Sequence, residues 1–330
     1  MSRSGPTASR GRCRRKSDAA SRFCYAAKLT ASGMLMGAKE REEYMDQRII
    51  ELYDDFTHRH LDRRLFLEQL TKLVGSSAVA MTVMASLSSN YARAATVAAD
   101  DARLATSRVV MPGSAGAVKA YLARPKGDAK LPAIVVIHQN RGLNAHIEDV
   151  GRRVALEGYV ALAVDCMSAL GGTPPEEDKA MADFSKLSLD VATAELVQAV
   201  AFLKARSDVS GKIGTVGFCW GGGMVNRLAE ASPDVNAGVA FYGVAPPIDQ
   251  VPKIKAALLL NYAGLDDRVN GTRPAYEDAL KAAKIDYKIE VYPGVNHAFF
   301  DDTSAERYNA DAAKLAWERA KAFFAQHLKA

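Results

Sequence analysis

Lys212–Gly223 reads KIGTVGFCWGGG, with a cysteine near its centre. Apolar residues, among them Ile213 and Val216, lead into Gly217-Phe218-Cys219-Trp220-Gly221, and a helical pattern follows from Met224 to Ala231. A strand, a tight turn and a helix, with small residues two positions to either side of a reactive side chain, make a nucleophile elbow, G-x-S-x-G, here with Cys in place of Ser. The small flanks let strand and helix approach closely, so the turn lifts the sulfur to the sheet's C-terminal edge. The N-terminus of the following helix favours thiolate over thiol. A buried Cys in a Gly-rich βα turn, or a phosphate-cradling loop, would share these glycines. The phosphate loop is argued against because no Gly-Lys-Ser/Thr follows.

Two further groups complete a chemistry. Asp266 ends the loop Ala263-Gly264-Leu265-Asp266, and His297 lies in Pro293-Gly294-Val295-Asn296-His297-Ala298-Phe299. Cys219, Asp266, His297 is the chain order nucleophile, acid, histidine of the α/β-hydrolases. In those roles His297 takes the proton of Cys219, Asp266 steadies the imidazole, and the thiolate attacks a carbonyl. Asp267 competes with its neighbour, and either could cap the next segment. His138 and His146 precede the elbow, His327 lies in the last helix, and His58 and His60 lie in a leader. Asp301 and Asp302 read as a solvated turn. The oxyanion of the intermediate is expected to meet the backbone N–H of Trp220 and one from the loop after Ile137, with Asn140 the candidate. Gln139, Arg141 and Arg268 are candidates for the substrate pocket.

These side chains need a sheet whose strand ends converge. Pro132–Ile137, Tyr159–Val164, Ala237–Tyr242 and Ala256–Tyr262 are continuous apolar runs, as buried parallel strands require. Tyr287–Tyr292 alternates. Helical patterns run from about His146 to Glu157, Leu189 to Ser207, Arg273 to Ile285 and Ala305 to Leu328. Glu176–Ser188 reads as a short helix over the sheet's upper edge and, with the Gly- and Pro-bearing loop from Cys166, as a candidate lid. Residues 108–123 alternate about Gly113–Gly116 and read as an edge hairpin. Strands alternating with helices give an α/β fold, a mostly parallel sheet with helices on both faces. Ligands in such sheets gather at the carboxyl ends of strands, where all three loops lie.

The chain has 330 residues, enough for one large domain and an appendage, and its 48% hydrophobic content is that of a globular protein. The net charge of +5 is unevenly placed: residues 1–94 hold 16 basic and 10 acidic residues, the rest 27 and 28. The basicity belongs to the leader, which removes the nucleic-acid reading for the remainder. Four cysteines, two of them in the leader, imply neither a disulfide framework nor a zinc site. A Cys166–Cys219 bridge would consume the reactive sulfur. Residues 1–44 carry no sustained periodicity, and Met34, Met36 or Met45 could each be the start. Met45–Thr57 reads as a short amphipathic helix. Arg63-Arg64, the apolar run Leu73–Leu87 and Ala92-Arg93-Ala94 form a basic, apolar and cleavable series, a twin-arginine export signal rather than a spanning helix. On this reading residues 45–94 are the helix and signal, 95–330 form one catalytic domain, and the mature protein is periplasmic, with the twin-arginine export machinery as partner. An amphipathic helix packed on a cytoplasmic domain is the alternative.

Gly217-Phe218-Cys219-Trp220-Gly221-Gly222, Gly264-Leu265-Asp266 and Gly294-Val295-Asn296-His297-Ala298-Phe299 together resemble the dienelactone hydrolase family, over roughly residues 105–328. The resemblance implies an α/β-hydrolase fold, a Cys219-His297-Asp266 triad, oxyanion donors at Trp220 and Asn140, and a small ester or lactone as substrate, with no metal or organic cofactor. Members that open dienelactones carry a Glu that contacts the Cys and helps form the thiolate. Gln139 stands there and is not a base. They also bind a substrate carboxylate with arginines, one of them a few residues past the histidine, where this chain has Asp301. A weakly catalytic binding protein on a hydrolase scaffold is the rival expectation, and a redox-responsive thiol a third.

Overall fold

The computed structural model describes residues 45–58, 61–88 and 95–329. The expectations for residues 1–44, including Cys13, Cys24 and the starts at Met34 and Met36, and those for His60 and Ala92-Arg93-Ala94, lie outside them.

A central sheet of eight strands has the order β1-β2-β4-β3-β5-β6-β7-β8. β1 (Leu104–Gly113) and β2 (Gly116–Pro125) form the edge hairpin, turning at Gly113–Gly116. β2 is antiparallel to β4 (Val160–Val164), and every later pairing is parallel, through β3 (Leu131–Ile137), β5 (Val209–Phe218), β6 (Ala237–Phe241), β7 (Ala257–Ala263) and β8 (Tyr287–Tyr292). The five residues of β4 and the five of β6 are all buried, which explains their unbroken apolar runs. This is the mostly parallel α/β architecture expected, with the hairpin at its edge.

Two apolar layers hold the sheet between helices. On one side α4 (Ala145–Leu156) and α10 (Ala310–Leu328) cover Ile134, Val136, Val216 and Val239. On the other, α6 (Leu189–Ala205), α7 (Trp220–Ala231) and α9 (Arg273–Ala282) cover Val135, Ile213, Leu258 and Leu260. The short α5 (Glu177–Phe184) and α8 (Asp267–Asn270) occupy strand-end connections. α10 starts five residues later than its pattern suggests because the Asn309 side chain caps it, accepting from Ala312 N at 3.0 Å.

Among the described residues from Arg48 onward the chain forms one compact unit, which includes the helices that precede β1. α1 (Gln47–His58) buries Ile49, Ile50 and Tyr53. α2 (Arg63–Val74) is capped by Asp62 and ended by Gly75 in the left-handed region, and it buries Phe66 and Leu70 completely. α3 (Ser77–Leu87) buries Leu87, whose carbonyl accepts from Ser304 Oγ. Among the described residues no single helix is long and apolar enough to cross a membrane. The α2–α3 pair, which reaches that length together, is bent by 111°.

Candidate active site

The elbow is built by crowding. Cys219 has φ 57° and ψ −116°, a strained backbone for a residue with a Cβ, and its N–H donates to Phe241 O at 3.0 Å. Three consecutive glycines open α7, which costs helix propensity. Close packing explains two of them, together with Gly217. A Cβ on Gly217 would lie 2.1 Å from Gly221 O, one on Gly221 2.4 Å from Ile137 O, and one on Gly222 2.5 Å from Phe241 O. The first turn of α7 is thus pressed against the ends of β3 and β6, and Cys219 is held above them, 6% exposed.

The loops after β7 and β8 bring the other two residues in. Asp266 Oδ2 lies 2.5 Å from His297 Nδ1, and both are buried. Asp266 also caps α8, its Oδ1 accepting from Val269 N at 3.1 Å, while Asp267 is exposed at the start of that helix. The double duty of Asp266, capping with one oxygen and pairing with the other, separates it from its neighbour. A nitrogen of His297 and the sulfur of Cys219 lie within 4.8 Å of each other. His297 Nε2 is buried and makes no hydrogen bond among the described residues.

A group unforeseen as part of the site completes it. His58, the last residue of α1, places Nε2 3.1 Å from Cys219 Sγ, and its ring lies 4.6 Å from that of His297. Burial pushes the Cys219 thiol up, but the charges of His58 and His297 outweigh it and hold the thiol well below its usual range. Burial pulls His297 down, but Asp266 and then Cys219 raise it to about 10. Burial raises Asp266, and His297 more than reverses this, leaving the carboxyl below its ordinary value. The arrangement can therefore carry a thiolate beside imidazolium, with a carboxylate behind it.

The remaining expected residues divide. Trp220 N–H stands in the first turn of α7, where no intrahelical acceptor is available. The Trp220 ring stacks on His138 at 5.3 Å. Asn140 is buried at the end of β3, and its side chain donates to Thr57 O at 2.9 Å. Arg141 is tied to Glu177, to Asn140 and to the Tyr53 hydroxyl, so it braces the N-terminal segment. Gln139 is buried, with its Nε2 lacking a hydrogen bond among the described residues. Arg268 is half-buried and lines the cavity over Cys219. Cys166 and Cys219 are both free thiols, so the weighed bridge is not formed.

Asp301 and Asp302 are not a solvated turn. Phe299 and Phe300 insert into the core and draw the loop inward, burying Asp301. Asp301 and Asp302 lie 3.9 and 3.1 Å from the nitrogens of buried His146 on α4, and Arg153 pairs with Asp302. Besides His58, reading by sequence missed Tyr242. It sits just past β6 at φ 40°, with its ring 4.9 Å from that of His297 and its hydroxyl buried. No spacing marks either residue. Only the amphipathic pattern over Met45–Thr57, which stops one residue short of His58, hinted that α1 packs on something.

The family model for the dienelactone hydrolase family matches residues 118–328. The chain belongs to the dienelactone hydrolase family. A protein of Saccharolobus solfataricus, provisionally named as a carboxymethylenebutenolidase, is 33% identical over 62% of this chain and 93% of its own. A Synechocystis protein of the same provisional name is 34% identical over 68% and 98%. The structure of a Klebsiella pneumoniae protein, provisionally titled a dienelactone hydrolase, covers 68% of this chain and 99% of its own, with a TM-score of 0.62 at 30% identity. This dienelactone hydrolase family member therefore has the α/β-hydrolase fold and is a hydrolase, and the matched region contains Cys219, Asp266 and His297. α1, α2 and α3 precede the matched region.

Proposed function

We propose that the protein hydrolyses a small carboxylic ester or lactone through a Cys219 acyl-enzyme. One observation carries the reading: Cys219 stands on a strained elbow beside a buried His297–Asp266 pair, in surroundings that favour its thiolate. The thiolate attacks the acyl carbon, and the oxyanion turns toward the N–H groups of Trp220 and Asn140. His297, oriented by Asp266, moves the protons of the leaving group and of water.

The cavity over Cys219 holds about 260 Å³, the size of a small molecule. Phe56, Met181, Phe184 and Val244 give it apolar walls, to which α5 contributes, and Arg268 brings one cationic group. Asp301 is an anion facing His146, and the guanidinium of Arg141 is tied to Glu177, Asn140 and Tyr53, so neither position offers the cavity a second free cation. A small neutral or singly anionic ester fits these walls better than a carboxylate held between two arginines. The relatives' names point to lactones.

The test is Cys219→Ala against short p-nitrophenyl esters and a lactone panel, with intact-mass detection of the acyl-enzyme. Hydrolysis is expected to fall by at least about three orders of magnitude. Unchanged hydrolysis, or an acyl group on another residue, refutes the reading. The neutral Gln139 favours a second reading, ligand binding without turnover. That reading expects Cys219 to alkylate no faster than a free thiol at neutral pH.

A further inference from the structure

One hydrogen bond to the Cys219 sulfur comes from a helix outside the region that matches the family: His58 Nε2 lies 3.1 Å from Sγ. The tautomer of His58 follows from its other nitrogen. Nδ1 lies 2.9 Å from Asp54 O, and a carbonyl can only accept, so Nδ1 carries the hydrogen and the lone pair of neutral His58 faces the thiol. The helix end is fixed from several sides. Asn140 donates to Thr57 O at 2.9 Å, Arg141 to the Tyr53 hydroxyl at 3.0 Å, Arg307 lies 5.1 Å over the Tyr53 ring, and Phe56 stacks on Phe66 at 4.6 Å. α1 walls the cavity without filling it, because Phe56, Thr57 and His58 line the same space as Cys219.

We propose that His58 is a second catalytic imidazole, a reading that rests on Cys219 being the nucleophile. His58 Nε2 takes the Sγ proton: the S–H bond breaks, an N–H bond forms, and a thiolate–imidazolium pair remains before substrate arrives. The sulfur lone pair then forms the S–C bond, and the carbonyl pair moves to oxygen. Collapse breaks the C–O bond, and the leaving alkoxide takes its proton from the His297 imidazolium. Neutral His297 next takes a proton from water as that water attacks the acyl carbon. The second collapse returns the thiolate, with His297 protonated again. His58 stays cationic throughout and keeps the sulfur a good leaving group. The charged and titratable groups facing this pair are His297 with Asp266 behind it, Tyr242 after β6, Arg268 on α8, and Asp54 on α1 itself, whose carboxylate is turned toward Arg307.

The experiment uses the full chain with His58→Gln and His58→Ala. Iodoacetamide labelling of Cys219 is followed against pH and read on the Cys219 peptide by mass spectrometry, beside kcat and KM for a short ester. His58→Gln is expected to move the labelling inflection upward, cutting the rate at about pH 6 by about ten-fold or more while changing it less than about two-fold near pH 9.5. kcat is expected to fall more than KM changes, and added imidazole to restore His58→Ala. An unchanged profile overturns the proposal. Faster hydrolysis overturns it too, since it marks α1 as a plug, and so does a loss that imidazole does not restore, since that loss belongs to helix packing. If Cys219→Ala abolishes hydrolysis while His58→Gln changes nothing, the assignment of the nucleophile stands and that of His58 falls.

Discussion

Asp266→Asn separates the charge of the buried pair from its geometry. Asn keeps an oxygen that can accept from Val269 N, so the cap of α8 survives. Its amide donates, however, where the carboxylate accepted from His297 Nδ1 at 2.5 Å. The imidazole must then turn its lone pair to Nδ1 and present N–H to the cavity, the wrong tautomer for a base. The rise of His297 from 6.5 to about 10 corresponds to about 5 kcal/mol in favour of imidazolium. Asp266 leads the raising contributions and Cys219 follows, so removing the carboxylate takes away the largest support of the imidazolium. The inverted tautomer adds to this, giving an expected loss in kcat/KM of about 10²–10⁴ near neutral pH. With its folded value raised, His297 stays protonated up to about pH 10, and in the variant it loses its proton at lower pH. The alkaline limb of the rate profile should therefore move down. Thermal unfolding measured alongside shows whether the fold is kept. A loss below about three-fold with an unmoved alkaline limb refutes the role of the pair.

Gly221→Ala should destabilise the domain by about 1–3 kcal/mol, although Ala is the better helix former. Its Cβ would meet the carbonyl oxygens of Ile137 and His138 at 2.4 and 2.5 Å, and both are backbone atoms that cannot step aside. A higher midpoint in urea would contradict the close approach of α7 and β3. Asp302 lies at about 2, below its ordinary 3.8, its burial outweighed by His146 and Arg153, so it contributes stability present above about pH 4 and lost as pH falls through about 2. Asp302→Asn should remove about 1 kcal/mol near neutral pH, after allowing for its partial exposure, and flatten the acid limb of Tm against pH. An acid limb of unchanged slope would place that stability elsewhere.

What could be read without coordinates follows the reach of local patterns. Buried parallel strands announce themselves by continuous apolar runs, so β3, β4, β6 and β7 were legible nearly to the residue. The elbow was legible because Gly217 and Gly221 are demanded by backbone contacts at fixed positions around Cys219. Chain order singled out His297 and the Asp266-Asp267 pair because the sheet brings every βα loop to one edge, and the choice between the two carboxylates needed the coordinates. Asp301 and Asp302 were misread because two adjacent carboxylates look solvated until their partners are known. His146 and Arg153 lie about 150 positions earlier, on a helix that only the folded sheet brings near.

His58 marks the same limit more sharply. A basic, apolar and cleavable series explains residues 45–94 as a leader, and that explanation makes every side chain in it dispensable. Packing asks more of the segment. The segment buries Phe66, Leu70 and Leu87 completely, and it engages Asn140, Arg141 and Arg307 through Thr57 and Tyr53. Those three polar residues come from the loops after β3 and β8, the strand ends that also frame Cys219 and His297. A helix seated there cannot be a neutral neighbour. It walls the cavity through Phe56, Thr57 and His58, and it sets the His58 imidazole 3.1 Å from the sulfur. If His58 acts on the sulfur as proposed, the chemistry of this site draws on α1 as well as on residues 118–328, the span that the family model matches.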